Sequence, residues 1–173
     1  MHINVLSRTK FFELLNQKNI NESNVESFSD FAFISIINTT DKLYNKKEYK
    51  IIPFEKNHSN VLVLSFDDVS STIETVIDDG ILNGTYISKP INKKQCKQII
   101  EFVENNIYRK QLIIHCTAGI SRSGAVGLFI SDHYLDKSNR KIFEEDNAHI
   151  RPNFKVFSLL KTVYNELKYD YPI

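Results

Sequence analysis

Short apolar runs alternate along the chain with longer segments of helical periodicity. The runs Phe31–Ile37 (FAFISII) and 61–66 (VLVLSF) are aromatic and β-branched. Both are too short for ordinary helices, so they predict buried strands. Residues 3–6 and 111–114 predict two more strands. An amphipathic segment carrying Phe11, Phe12, Leu14 and Leu15 follows the first strand, and an Asn-rich loop over 16–24 follows that. The clearest helix is 91–107, where Cys96, Ile99, Ile100, Val103 and Ile107 share one face. Asn92 and Gln95 form a capping box at its start. Residues 124–135 are apolar on nearly every side, which predicts a central helix, and Gly127 lets it approach a neighbour closely. Asp132 and His133 near its end read as surface or capping groups. A last helix opens at Pro152-Asn153, with Phe154, Phe157, Leu160, Tyr164 and Leu167 as its expected buried stripe. Residues 39–60 are polar and Lys-rich. Residues 136–147 are polar and acidic and predict a connecting loop.

Composition narrows the class only by exclusion. A chain of 173 residues, 42% hydrophobic and 25% charged, suits one domain over 1–173 with a sizeable core. A net charge of +1 argues against nucleic-acid binding through bulk electrostatics. The longest apolar runs reach about seven residues, against the roughly 20 that a membrane span needs. The N-terminal stretch lacks the apolar core of a secretory signal. Two cysteines make no disulfide framework, so a reducing, cytoplasmic location is expected. The five His and two Cys show no ligand spacing, so neither metal nor other cofactor is expected. A monomer is expected.

One stretch carries chemistry. His115 to Gly124 reads HCTAGISRSG, between the strand 111–114 and the helix from 124. A strand, a tight loop and a helix N-terminus form an arrangement in which backbone N–H groups converge on an anion. Thr117, Ala118, Gly119, Ile120, Ser121, Arg122 and Ser123 would wrap a phosphate, with Gly119 permitting the turn. The planar fork of Arg122 suits two phosphoryl oxygens. Cys116, at the start of the loop, would have its thiol pKa lowered by the same dipoles and cation, making it a nucleophile in place for attack on phosphorus. Ser123 would donate a hydrogen bond to the sulfur as it leaves. A leaving oxygen also needs a proton, and Asp67, Asp68, Asp78 and Asp79 are the candidate acids. Asp67 and Asp68 follow a strand, where ligands of α/β sheets gather.

The stretch resembles the HCxxGxxR[ST]G signature of cysteine-dependent protein tyrosine and dual-specificity phosphatases, meeting every specified position. The resemblance extends over about 61–167 and implies an α/β fold, a single domain with a central mixed, mostly parallel β-sheet flanked by helices. It implies a phosphocysteine intermediate on Cys116, with Arg122 holding the phosphoryl oxygens. Some members carry Phe-Asp-Asp after a core strand with the second Asp as general acid, which matches Asp68. Asp68 stands 48 residues before Cys116, a longer gap than in compact relatives. That implies an insertion, and 72–89, with its Asp-Gly and Asn-Gly turn signals, is its expected place. Arg151 and Asn153 resemble a stretch in which an Asn supports the phosphate loop.

A phosphorylated protein is the expected partner, with phosphotyrosine preferred and phosphoserine or phosphothreonine alongside. Inositol-phosphate phosphatases of the superfamily often place a Lys where this loop has Ile120. RNA 5′-triphosphatases share the scaffold, but the near-neutral chain has no evident basic track. A non-catalytic phospho-binding protein is the reading from another class. Tyr44, Lys46, Lys47 and Tyr49 either flank a phosphotyrosine pocket or form a solvated loop. Cys96 reads as a small buried hydrophobe, or alternatively as a thiol that resolves oxidised Cys116.

Overall fold

The computed structural model describes residues 1–45, 50–70, 75–79 and 84–169, with the side chains of 75–79, 84 and 85 left aside. Its centre is a four-stranded sheet in the order β1-β6-β2-β3, built from β1 (His2–Ser7), β2 (Phe31–Ile37), β3 (Val61–Ser65) and β6 (Gln111–Cys116). Every pairing within it is parallel. The antiparallel pair that the mixed-sheet expectation called for stands apart. It is the hairpin β4 (Thr75–Asp79) and β5 (Gly84–Ser88), in the stretch expected to be an insertion.

Parallel strands need covering on both faces, and their near-continuous apolar sequences reflect it. One face carries Ile3, Val5, Ile34, Ile36, Leu64, Leu112 and Ile114. It packs against α3 (Lys93–Asn106), α4 (Arg122–Tyr134) and α6 (Phe154–Tyr169). The other face carries Phe31, Phe33, Val61 and Ile113, covered by Phe11 and Leu15 of α1 (Arg8–Gln17) and by Phe54. The capping box of α3 is present: Asn92 Oδ1 accepts from the Gln95 N–H at 3.0 Å, and Gln95 Oε1 accepts from the Asn92 N–H at 3.1 Å. Cys96, Ile99, Ile100 and Val103 are buried as expected, while Ile107 lies past the helix end and is exposed. Gly127 of α4 sits where a Cβ would lie 2.8 Å from Val5 Cγ2, so the close approach read from the sequence is present.

Two expectations are corrected. The segment 136–147 is not a loop but holds a helix, α5 (Lys137–Asp146), started by Asp136, which accepts from the Asn139 N–H at 2.9 Å. Among its residues only Phe143 is buried, too little apolar signal for its periodicity to show. In α6 the buried positions are Val156, Leu160 and Val163, while Phe154 and Leu167 face solvent. The helix is rotated from the expected phase, and Phe157 and Tyr164 lie at the edge of the core. A short helix, α2 (Asp41–Tyr44), also interrupts the polar stretch after β2.

The outer edges of the sheet are met by asparagines. Beyond α5, buried Asn147 accepts from the Val5 N–H at 2.8 Å and donates to the Ile3 carbonyl at 3.0 Å. Its amide thereby imitates a neighbouring strand for β1. On the other edge Asn57 accepts from the Val63 N–H at 2.7 Å. Replacing Asn147 by Ala strands a buried donor and acceptor, and a loss of about 2–4 kcal/mol of unfolding free energy is expected. Denaturant unfolding of the variant checks this; a change within about 0.5 kcal/mol, the range of ordinary surface substitutions, would show the amide is dispensable.

Candidate active site

A fully parallel sheet brings all its strand C-termini to one rim. Here Ser7, Ile37, Ser65 and Cys116 end the four strands there, so the residues that follow each of them share a crevice. The loop from Cys116 to Arg122 leaves an inner strand and feeds the first turn of α4. Gly119 is its tightest point, with φ of 72° in the left-handed region. A Cβ there would fall 2.3 Å from the Ser7 nitrogen and 2.4 Å from the Leu6 carbonyl carbon, so backbone packs directly on backbone.

Cys116 is buried, and its Sγ lies 3.1 Å from Ser123 Oγ. Burial opposes ionisation of the thiol. Hydrogen bonds from the Ser123 side chain and main chain, the charge of Arg122 and the Gly119 main chain outweigh it, and the thiol sits below the ordinary cysteine range. Arg122 is 3% exposed. Its Nη1 donates to the Phe66 carbonyl at 2.7 Å and its Nη2 to Thr117 Oγ1 at 3.1 Å, while its buried Nε meets no protein acceptor. A guanidinium so held, with a donor left over, suits an anion in the loop. Thr117, Ala118 and Ile120 are exposed, and Ser121 is half-buried.

The two acidic candidates after β3 have different surroundings. Asp67 is buried and accepts three hydrogen bonds, from the Thr39 N–H at 3.0 Å, Thr39 Oγ1 at 2.6 Å and the Lys89 N–H at 2.8 Å. That carboxylate fastens the strand ends together. Asp68 is exposed at the loop, where its Oδ1 accepts from Ser121 Oγ at 2.8 Å and from Asn153 Nδ2 at 2.8 Å. Ser121 is the residue before α4, and its hydroxyl is turned to Asp68 and caps no helical N–H. The side chains of Asp78 and Asp79, with Lys46, Lys47 and Tyr49, lie outside the described residues.

The turn before α6 supports the loop from the far side. The Arg151 N–H donates to the Ile120 carbonyl at 3.0 Å and the Asn153 N–H to the Ser121 carbonyl at 3.1 Å. Asn153 also holds Val69 O at 3.1 Å, and its Oδ1 accepts from the Lys155 and Val156 N–H groups, capping α6. One residue therefore joins Asp68, the loop and the last helix. Sequence reasoning missed Arg8, whose Nη2 donates to Thr117 Oγ1 at 3.2 Å. Its position immediately after a strand is the signal that could have found it.

Cys96 is a free thiol in the core, pushed up to about 12 by burial. Among the described residues no group of three or more His, Cys, Asp or Glu is placed to hold a metal, and no helix is long and apolar enough to cross a membrane.

No family model matches the chain, and no curated protein matches it in sequence. Among solved structures it is similar to a human tyrosine phosphatase-like serine/threonine/tyrosine-interacting protein, at 17% identity over 85% of each chain with a TM-score of 0.46. It is similar to PTPMT1 in complex with PI(5)P, at 14% identity over 96% of this chain and 94% of that one, TM-score 0.46. It is also similar to Tk-PTP in the active form, at 16% identity over 87% of each chain, TM-score 0.33.

His115, which precedes the cysteine, points into the opposite core. It is fully buried, its ring centroid lies 4.2 Å from that of Phe11 with the planes tilted by 32°, and it pairs through Nε2 with Ser35 Oγ at 2.7 Å. Burial lowers its pKa to about 3, with the charges of Arg8 and Arg122 acting the same way against a main-chain hydrogen bond at Cys116. The folded ring stays neutral while the unfolded one gains a proton near 6.5, so stability falls as pH drops from about 6.5 towards 3. Thermal unfolding across that window tests this. His115→Gln is expected to give a shallower dependence of Tm on pH, and an unchanged slope would place the acid sensitivity elsewhere.

Proposed function

We propose that the protein is a cysteine-dependent phosphatase that hydrolyses phosphomonoesters on protein side chains, with phosphotyrosine preferred. The observation that carries this reading is the buried Cys116 thiol, held below the ordinary cysteine range at one end of a seven-residue loop that closes on Arg122. In the first step Cys116 Sγ attacks phosphorus. The S–P bond forms as the P–O bond to the leaving group breaks, and Asp68 gives that oxygen a proton. The fork of Arg122 and the loop N–H groups meet the charge on the three remaining oxygens. In the second step water attacks phosphorus, the Asp68 carboxylate takes its proton, and the S–P bond breaks. Ser123 Oγ, 3.1 Å from the sulfur, stabilises the departing thiolate.

Asp68 is favoured over Asp67 as the acid because it borders the loop through Ser121, whereas both oxygens of Asp67 are already engaged. The apolar rim favours an aromatic leaving group. Ile120 is 38% exposed in the loop, and Phe154, the first residue of α6 after the turn that supports the loop, is 73% exposed. These surfaces suit a phenyl ring better than a ring bearing further phosphates. A cytoplasmic location and a monomeric state accompany the proposal.

The deciding assay compares phosphate release from phosphotyrosine peptide, phosphothreonine peptide and inositol phosphates, without added metal. Turnover on the tyrosine peptide that Cys116→Ser abolishes, with peptide binding retained, is the expected result. Turnover on inositol phosphates alone would move the substrate class, and stoichiometric peptide binding with no release would make the protein a reader. Asp68→Asn is expected to slow hydrolysis of alkyl and unactivated phenyl esters by about 10²-fold. Asp67→Asn is expected to lower Tm instead; the reverse pattern would exchange the two assignments.

A further inference from the structure

The first residue after the nucleophile is gripped from the N-terminal end of the chain. Arg8, the first residue of α1, donates its main-chain N–H to the Thr117 carbonyl at 3.2 Å. Its Nη2 donates to Thr117 Oγ1, also at 3.2 Å. That hydroxyl receives Arg122 Nη2 at 3.1 Å as well, so one oxygen ties two guanidinium groups together. Two residues along the loop, Gly119 packs on the backbone of Leu6 and Ser7. The β1–α1 junction therefore meets the loop at both its start and its tightest point.

Arg8 is itself anchored. The same Nη2 pairs with Asp41 Oδ2, and the two side chains are 16% and 8% exposed. The Asp41 carboxylate also accepts from the Asn38 N–H at 2.8 Å and from Asn38 Nδ2 at 3.2 Å. Arg8 is thereby linked to the residues that follow β2. Like charges on Arg8 and Arg122 would repel across a shared acceptor, and Asp41 offsets that repulsion. The charge of Arg8 is matched by Asp41 and its Nη2 is turned to Asp41 and Thr117, while its buried Nε meets no protein acceptor.

We infer that Arg8 is a positioning residue for the anion-binding loop, acting through Thr117 to fix both the first turn of the loop and the fork of Arg122. It sets the direction of the loop N–H groups and of the guanidinium, and touches no substrate. An ordinary ion pair at this place would stabilise the fold and leave the reactivity of Cys116 alone. A positioning residue alters both.

The inference uses the proposed chemistry only in taking Cys116 as the reactive thiol, and its test needs no turnover. The pH midpoint for alkylation of Cys116 by iodoacetate is measured for wild type, Arg8→Ala, Arg8→Lys, Thr117→Val and the Arg8→Ala/Thr117→Val pair, alongside Tm and protection by inorganic phosphate. Cys96, buried and pushed up to about 12, contributes little alkylation. Arg8→Ala and Thr117→Val are each expected to raise the midpoint and weaken phosphate protection several-fold. The double variant is expected to go no further than the stronger single one, because both remove one path. Arg8→Lys keeps a cation for Asp41 but loses the planar fork, and should fall between wild type and Arg8→Ala. Unchanged midpoints and protection with a lowered Tm would reduce Arg8 to a structural ion pair, and additive effects would remove Thr117 from the path. If Arg8→Ala fails to fold, Arg8→Lys, which keeps a cation for Asp41 and leaves the Arg122–Thr117 contact in place, decides the matter: a raised midpoint supports the inference and an unchanged one overturns it.

Discussion

The close contact between Gly119 and the Leu6–Ser7 backbone is the constraint on which the site rests. The loop has to leave β6 and enter α4 within a few residues, and it does so by turning beneath the junction of β1 and α1. A side chain at 119 would occupy the space of the Ser7 nitrogen, and the φ of 72° would also strain any L residue. This turn brings Arg122 back over Cys116. It also requires β1 to lie beside β6 in parallel register, with Ser7 opposite Cys116. The first eight residues of the chain thus help to shape this loop, though they lie more than a hundred residues from Cys116 in sequence.

Neighbouring residues of one strand show how burial alone does not fix ionisation. His115 and Cys116 point to opposite faces of β6, and both are almost inaccessible to water. His115 has a single hydroxyl partner in Ser35 and two cations nearby, and it stays neutral. Cys116 has the opposite requirement, since its charged form is an anion. The same guanidinium that disfavours a proton on the histidine favours the loss of one from the cysteine. For His115 burial is the larger influence, and for Cys116, whose burial acts the other way, the hydrogen bonds from Ser123 are; Arg122 acts in the same direction as the outcome in both.

How far the sequence reveals this depends on the range of each interaction. The strands were legible because their apolar runs are dense, and α3 because Asn92 and Gln95 mark its start and four apolar residues repeat along one face. The loop was legible as a tight turn because Gly119 stands between the end of one apolar run and the start of another. The helix α5 was hidden because one buried residue, Phe143, leaves no periodic trace. The phase of α6 was misread because Phe154, despite its ring, lies beyond the edge of the core. Arg8, Asp41 and Asn147 act across long sequence separations through polar contacts, which have no local pattern. The parallel topology was what could have gathered them: Arg8 and Asp41 both follow strand ends, as Asp68 and Cys116 do.

The asparagines on the outer strands have a consequence for recognition. An extended peptide can bind a sheet by adding itself as one more strand, and an exposed edge invites the same pairing between copies. Here a strand arriving beside β1 would have to displace the Asn147 amide from Ile3 and Val5, and one beside β3 would have to displace Asn57 from Val63. Main-chain pairing along either side is thus already contested by the protein's own side chains. Edge-to-edge association of two copies of the sheet meets the same obstacle.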